Sequence, residues 1–243
     1  MSQIKERPIL FSAPMVRAVL DGRKTVTRRP VKVQPRSRAD IGSYGKGQPF
    51  IRNPDVTKRN PECPFGNPGD RLWVRETWYC DHNEVMRGPY LKPDDLDVIE
   101  ARDDGTLVYA ADGLTPYETD QPVWKPSIHM PRWACRILLE ITDVRVERLQ
   151  DISDEQAQAE GCFFTDYGRK CGHSGKGWTE VGDCPAPKEH HPQRDGWMWD
   201  STTSHEQCLG SARNAFGNLW NTTGGDWDAN PWVWVVEFKR VTP

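Results

Sequence analysis

Long apolar runs are what this 243-residue sequence lacks most. Its hydrophobic fraction is only 36%, low for a globular chain, and no stretch is long and apolar enough to read as a membrane-spanning helix. Met1 is followed by Glu6 and Arg7 rather than by an apolar segment, so no secretory leader is expected. The seven cysteines are odd in number and scattered, which argues against a complete disulfide framework. These absences together make the reducing cytoplasm the expected compartment. No internal repeat is visible. There remains one elaborated globular domain, or a domain carrying an insertion. Twenty glycines and twenty prolines assign much of its length to turns, and eleven tryptophans make its core aromatic.

Charge is unevenly spread. Residues 1–60 hold fourteen Lys/Arg against four Asp/Glu, whereas the rest carries eighteen against thirty-one. A basic first quarter suits a local anionic partner rather than a protein that coats DNA generally. Pairing of the basic and acidic segments within the fold is the alternative.

Four stretches read as ordered. Ser12 to Gly22 has a capping position, Pro14 in the first turn, Met15 and Val19 on one face, and a glycine stop, which together predict a short helix. It delivers Arg23 to Arg29 into an extended segment halted at Pro30. Gly69 to Trp78 alternates like a strand, with Leu72, Val74 and Glu76 on one face; a Glu76 pointing inward would need a partner. Arg136 to Leu149 predicts one long bent strand or two, followed by a helix that a Ser153–Gln156 capping box opens and Gly161 ends. Ser204 and Gln207 repeat that spacing before a helix running from Cys208 to Trp220, and Trp232 to Phe238 alternate as a final strand. Residues 31–62, 81–122 and 162–203 are polar and aperiodic and are expected to be long loops, the last of them an insertion.

Within the basic run, Lys24 and Thr27 carry the chemistry of interest. Neighbouring cations lower the pKa of a lysine by like-charge repulsion, making it a better base, and a hydroxyl beside such a base is a potential nucleophile. A solvated basic turn that holds a phosphate is the plainer alternative. Glu160 falls in the last turn of its helix, where the macrodipole disfavours a carboxylate by a few tenths of a kcal/mol, roughly.

The run Gly22-Arg23-Lys24-Thr25-Val26-Thr27-Arg28-Arg29 resembles the signature of the ASCH domain family, a branch of the PUA-like β-barrels, with eight positions agreeing in type and order. The likeness continues in Asp70-Arg71-Leu72-Trp73-Val74-Arg75-Glu76, in Leu149 to Ser153 leading to Ala159-Glu160-Gly161, and in Trp234 to Phe238. It covers about half of the chain, which also looks like the larger members common in phages and prophages. The resemblance implies an α+β fold of a single domain over residues 1–243: a small PUA-like β-barrel with flanking helices and long loop insertions, one at about 162–203. It further implies the activity of small bacterial relatives that remove the acetyl group from N4-acetylcytidine. Carried over by position, the nucleophile falls on Thr27, its activating base on Lys24, and a proton-transfer or orienting carboxylate on Glu160. Arg23, Arg28, Arg29, Arg75 and Glu76 become substrate-binding candidates, Arg29 or Arg75 as oxyanion donors. The expected reaction is hydrolysis of a C–N amide on an N4-acylated cytidine-type nucleoside. A non-catalytic PUA-like module that binds RNA or modified nucleic acid, or a ribonuclease of the same family, is the alternative. The implied partner is a nucleoside or RNA, with no membrane and no named host or phage protein; no cofactor is implied.

Residues 162–208 also contain Cys162, Cys171, His173, Cys184, His190, His191, His205 and Cys208. Thiolates and imidazoles are zinc ligands, and a polar, Gly-rich segment benefits from a metal staple. No Cys-x-x-Cys pair is present, however, and Cys171-x-His173 is an uncommon spacing, so the expected metal set is none. Trp197 and Trp199 lie in the same stretch, either to stack on bases or to pin the segment down.

Overall fold

The computed structural model describes residues 4–242 except 46, 114–123, 174–176, 178 and 183. Contacts within the chain divide it into two compact units, Met1–Leu149 with Pro231–Pro243, and Gln150–Asn230. The 162–203 span lies wholly inside the second.

In the first unit, β1 (Glu6–Leu10), α1 (Ala13–Leu20) and β2 (Val26–Pro30) come first. A hairpin of β3 (Ile41–Ser43) and β4 (Pro49–Ile51) follows. Then come β5 (Arg71–Arg75), β6 (Trp78–Cys80), α2 (Asn83–Arg87), α3 (Val98–Asp103), β7 (Leu107–Tyr109) and the long β8 (Leu138–Arg148). The second unit supplies α4 (Asp154–Ala159), β9 (Phe163–Cys171), β10 (Thr179–Glu180), β11 (Gln193–Met198) and α5 (Ala212–Thr222). The chain then returns to the first unit as β12 (Trp232–Val241).

The first unit is built on a five-stranded sheet in the order β1-β5-β8-β12-β2. The β1–β5 pair is parallel and the other pairs are antiparallel, so the sheet is mixed and the class α+β. β1 and β2 stand at its edges, and no pairing among the described residues closes it into a barrel. Alternation decides which side chains enter the core. Leu72 and Val74 of β5, Leu139 and Ile141 of β8, and Trp234, Val236 and Phe238 of β12 bury on one face with Val16 and Val19 of α1. Beyond α1, Gly22 takes φ +74°, a left-handed turn that a side chain would strain, and this turns the chain into β2.

Two expectations are corrected in this unit. Residues 81–122 are not simply loop, for α2, α3 and β7 lie there, although 114–122 fall outside the described residues. Trp78, Cys80, Val85, Leu107, Tyr109 and Met130 make a second apolar cluster around them. Helices of five and six residues and a three-residue strand are too short to display a period. The 31–62 stretch likewise contains the β3–β4 hairpin.

In the second unit, the expected capping box is formed in both directions, Ser153 accepting from the Gln156 N–H and Gln156 from the Ser153 N–H. The 162–203 segment is corrected too: it holds a three-stranded antiparallel sheet in the order β10-β9-β11. β9 is partly exposed over most of its length, so no apolar alternation announces it. α5 starts later than expected. The Ser204–Gln207 box exists but caps a single 3-10 turn, His205–Gln207, and Ser211 caps the helix by accepting from the Asn214 N–H. Among the described residues no helix is long and apolar enough to cross a membrane.

Candidate functional site

The link from α1 to β2 fixes the basic motif. The Arg23 and Lys24 N–H groups both donate to the Ala18 carbonyl at 2.9 Å, and the Phe238 N–H donates to Thr25 at 2.9 Å. Lys24 is thereby turned inward and is only 2% exposed. Its Nζ donates to the Val26 carbonyl at 2.9 Å and lies 5.5 Å from the centroid of the Phe11 ring. Thr27, 3% exposed, pairs with Val236, and Arg29 pairs with Trp234, which puts both on the core-facing side of the sheet. The Arg29 guanidinium approaches the same Phe11 ring at 5.6 Å and donates to the Leu10 carbonyl at 2.7 Å. Phe11 thus has two cations within cation–π range. Sequence reasoning did not single it out, because a phenylalanine just before a helix cap reads as an ordinary staple against the first turns.

The other candidates are engaged in the frame around this motif. Arg28 faces the opposite side of the sheet and is buried, with Nη2 3.4 Å from a Glu147 carboxylate oxygen. Glu147 and Glu237 both accept from Arg145, so these strands share a buried-to-surface charge network. Arg23 is more exposed and pairs with Asp21 at 2.8 Å. Arg75 donates from Nε to the Met130 carbonyl at 2.9 Å and stacks 5.0 Å from the Trp73 ring. Glu76 is 1% exposed, and the partner that such burial demands is Arg136, which donates to its two oxygens at 2.9 and 2.8 Å. Arg136 also grips Asp112 and lies 4.0 Å from the Tyr109 ring. Burial pushes the Glu76 carboxyl above the ordinary carboxylate range, with the Arg136 hydrogen bonds pulling the other way.

A cavity of about 310 Å³ opens beside the outer end of β2. Arg29, Lys32, Glu62, Pro64, Phe65 and Trp234 are among its walls, whereas Lys24 and Thr27 do not line it. It combines an apolar body with a few charged groups, as small-molecule sites do, near the lower end of their size range. Lys32, Glu62 and Phe65 carried no sequence signal, because the wall is assembled from β2 and the distant 61–65 loop.

Glu160 belongs to the second unit, whereas Lys24 and Thr27 belong to the first. It is the C-cap of α4 and 4% exposed. The second unit also gathers Cys171, His173, Cys184 and His191, with one ligand atom from each all lying within 4.8 Å of one another. Cys162, His190, His205 and Cys208 are outside that group.

Comparison with protein families, with curated proteins and with solved structures finds no match for the chain. Its functional reading therefore stands on these residues alone.

Proposed function

We propose that the first unit carries a nucleoside-directed site of ASCH type, and that the protein hydrolyses the amide of N4-acylated cytidine-type nucleosides. The observation that carries this reading is the pair Lys24 and Thr27. They are two polar side chains three positions apart, both almost wholly buried, held where α1 turns into β2. Burying an amine and a hydroxyl costs free energy unless each is hydrogen-bonded, as Lys24 is to the Val26 carbonyl, and buried ionisable groups concentrate at working sites.

In the proposed reaction the Thr27 hydroxyl attacks the amide carbonyl while the Lys24 amine takes its proton. Collapse of the tetrahedral intermediate breaks the C–N bond, and Lys24 returns the proton to the departing cytosine amine. Water, deprotonated in the same way, then cleaves the acyl-threonine ester and releases the carboxylic acid. Arg29, on the same face of β2 as Thr27, is the candidate oxyanion donor. Arg75 and Glu76, engaged with Met130 and Arg136, shape the frame in this reading rather than contact substrate. The PUA-like barrel is part of the same proposal; what supports it is that β2, β5 and β12, which carry three of the motifs, share one mixed sheet.

The test is incubation with N4-acetylcytidine and chromatographic detection of cytidine. Thr27→Ala and Lys24→Met should lower turnover at least ~100-fold, the scale of losing a nucleophile or a general base, and Thr27→Ser should restore part of it. Product formation by Thr27→Ala at the wild-type rate would overturn the mechanism. A second reading, a non-catalytic module for RNA or modified nucleic acid, is favoured by one observation. The 310 Å³ cavity has cationic and aromatic walls but excludes Lys24 and Thr27. Absence of cytidine together with salt-sensitive RNA binding that weakens in Lys32→Ala would establish that reading instead.

A further inference from the structure

One end of the β10-β9-β11 sheet brings together residues that lie far apart in sequence. Cys171 closes β9, His173 follows in the hairpin, Cys184 lies beyond β10, and His191 precedes β11. Strand register explains the convergence. Thr179 pairs with Cys171 and Gln193 with Arg169, so the chain passes this end of β9 on both sides.

The geometry points to a closed, tetrahedral zinc site formed by Cys171, His173, Cys184 and His191. Three observations carry it. The first is spacing. His173 Nδ1 lies 3.3 Å from Cys171 Sγ and 3.4 Å from Cys184 Sγ, and all four ligand atoms fall within 4.8 Å of one another. With Zn–S near 2.3 Å and Zn–N near 2.0–2.1 Å, neighbouring sulfur and nitrogen ligands of a tetrahedron stand about 3.5 Å apart.

The second is that hydrogen bonding does not account for the group. An imidazole Nδ1 offers one N–H or one lone pair, not both, yet here it faces two sulfurs. A single cation satisfies every contact at once. The third is His191, 2% exposed, whose Nε2 is buried and has no hydrogen-bond partner among the described residues. A buried nitrogen left without a partner carries the full cost of desolvation, and coordination removes it.

The donor set selects the metal. Two thiolates and two imidazoles suit Zn²⁺, and two thiolates neutralise its charge, which favours a partly buried site. Four protein ligands leave no open position, so the ion is a staple rather than a catalyst. It would act where support is thinnest, since both residues of β10 are exposed and β9 is mostly half-exposed. His190 flanks the group, its ring centroid 6.0 Å from that of His173, but is not one of the four, and the remaining candidates lie elsewhere. Cys162 lies at the far end of β9, roughly 30 Å away at the rise of an extended strand. His205 is bonded to Arg194, and Cys208 lies 3.9 Å from Thr202.

The experiment uses the full chain, purified with no added metal and no chelator. Elemental analysis and native mass spectrometry should give one zinc per chain. Cys184→Ser and His191→Ala should each lose it, while Cys208→Ser keeps it. To keep the test independent of variant folding, the wild-type chain is also stripped with a chelator and reloaded with Co²⁺. Intense tetrahedral d–d bands and a thiolate charge-transfer band are the expected signature. Chelation should also reduce hydrogen-exchange protection in β9 to β11 while leaving β8 and β12 unchanged, because metal binding to a poorly supported segment contributes directly to its folding. Zinc below one-tenth of an ion per chain both as purified and after the stripped chain is reloaded with Zn²⁺ would overturn the site. So would a weak octahedral cobalt spectrum, retention of zinc in Cys184→Ser, or a Cys171–Cys184 disulfide in the unreduced protein.

Discussion

The two units solve the same problem with different material. The first buries a continuous apolar face, in which Leu72, Val74, Leu139 and Val236 are wholly withdrawn from water. The second has a buried helical side, with Phe216, Leu219 and Trp220 of α5, but its sheet is mostly half-exposed and gathers a cluster of sulfurs and imidazoles at one end. Burial is non-directional and roughly proportional to area, so it tolerates chemical variation as long as volume is kept. A ligand cluster is directional and all-or-none, and one lost ligand removes most of its contribution. The comparison teaches that composition alone misjudges such a chain: 36% hydrophobic residues suffice because one region concentrates them and another replaces them.

The largest expected effect that would break this contrast is in the first unit. Leu139→Ala removes a fully buried side chain from a central strand and should cost about 2–5 kcal/mol in urea unfolding. The cost should be the same with and without chelator. Phe164→Ala, on half-exposed β9, touches Trp197 at a ring distance of 5.6 Å and should cost about 1 kcal/mol or less. Equal costs for the two would show that the sheet of the second unit depends on burial after all.

Thiol chemistry sharpens the same contrast. Cys63, Cys80 and Cys135 of the first unit are buried, and burial pushes the first two thiols up to about 11 and about 12. Cys184 and Cys208 of the second are partly exposed. Native alkylation near pH 8, followed by peptide mass spectrometry, should label Cys208 first and leave Cys63, Cys80 and Cys135 unmodified. Cys184 should react only after chelation, because a metal-bound thiolate is shielded. Rapid labelling of Cys184 without chelator would count against the staple and leave the burial argument intact.

What the sequence discloses follows this division. The Ser153–Gln156 box, the Gly22 stop and the Leu72/Val74 alternation are local signals, each set by residues within one turn or one strand, and each appears where it was expected. The 81–122 and 162–203 stretches were misread as loops because their stability is non-local. β7 depends on pairing with β6, and β9 is supported by β10 and β11 rather than by an apolar stripe. The eight Cys and His candidates could be named from the sequence, but which four of them meet could not, for the same reason. Cys171 and His173 are close in sequence, but Cys184 and His191 join them only once the β9 register is set. Lys24 and Thr27 could be named from the motif, but their burial could not, since it depends on Phe11 and on β12.

The smallest effect concerns the exception in the first unit, a buried polar assembly inside an apolar frame. Glu76 sits beneath Arg136, which also holds Asp112, and burial raises the carboxyl above its ordinary range despite the guanidinium. The sign of the consequence follows from proton counting. Between the unfolded value and the raised folded value, the native state binds more protons than the unfolded chain, so stability falls as pH rises through that window. Glu76 therefore contributes most below the ordinary carboxylate range and loses that contribution as it ionises in place. Glu76→Gln keeps an oxygen for Arg136 but cannot ionise. Measured by urea unfolding from about pH 4 upward, the wild type should lose ground relative to Glu76→Gln and then level off once the carboxyl is fully charged. If the wild type instead gains on the variant as pH rises, the Arg136 pair outweighs desolvation. The first unit would then contain, like the second, a polar cluster that adds to its stability rather than one its core tolerates.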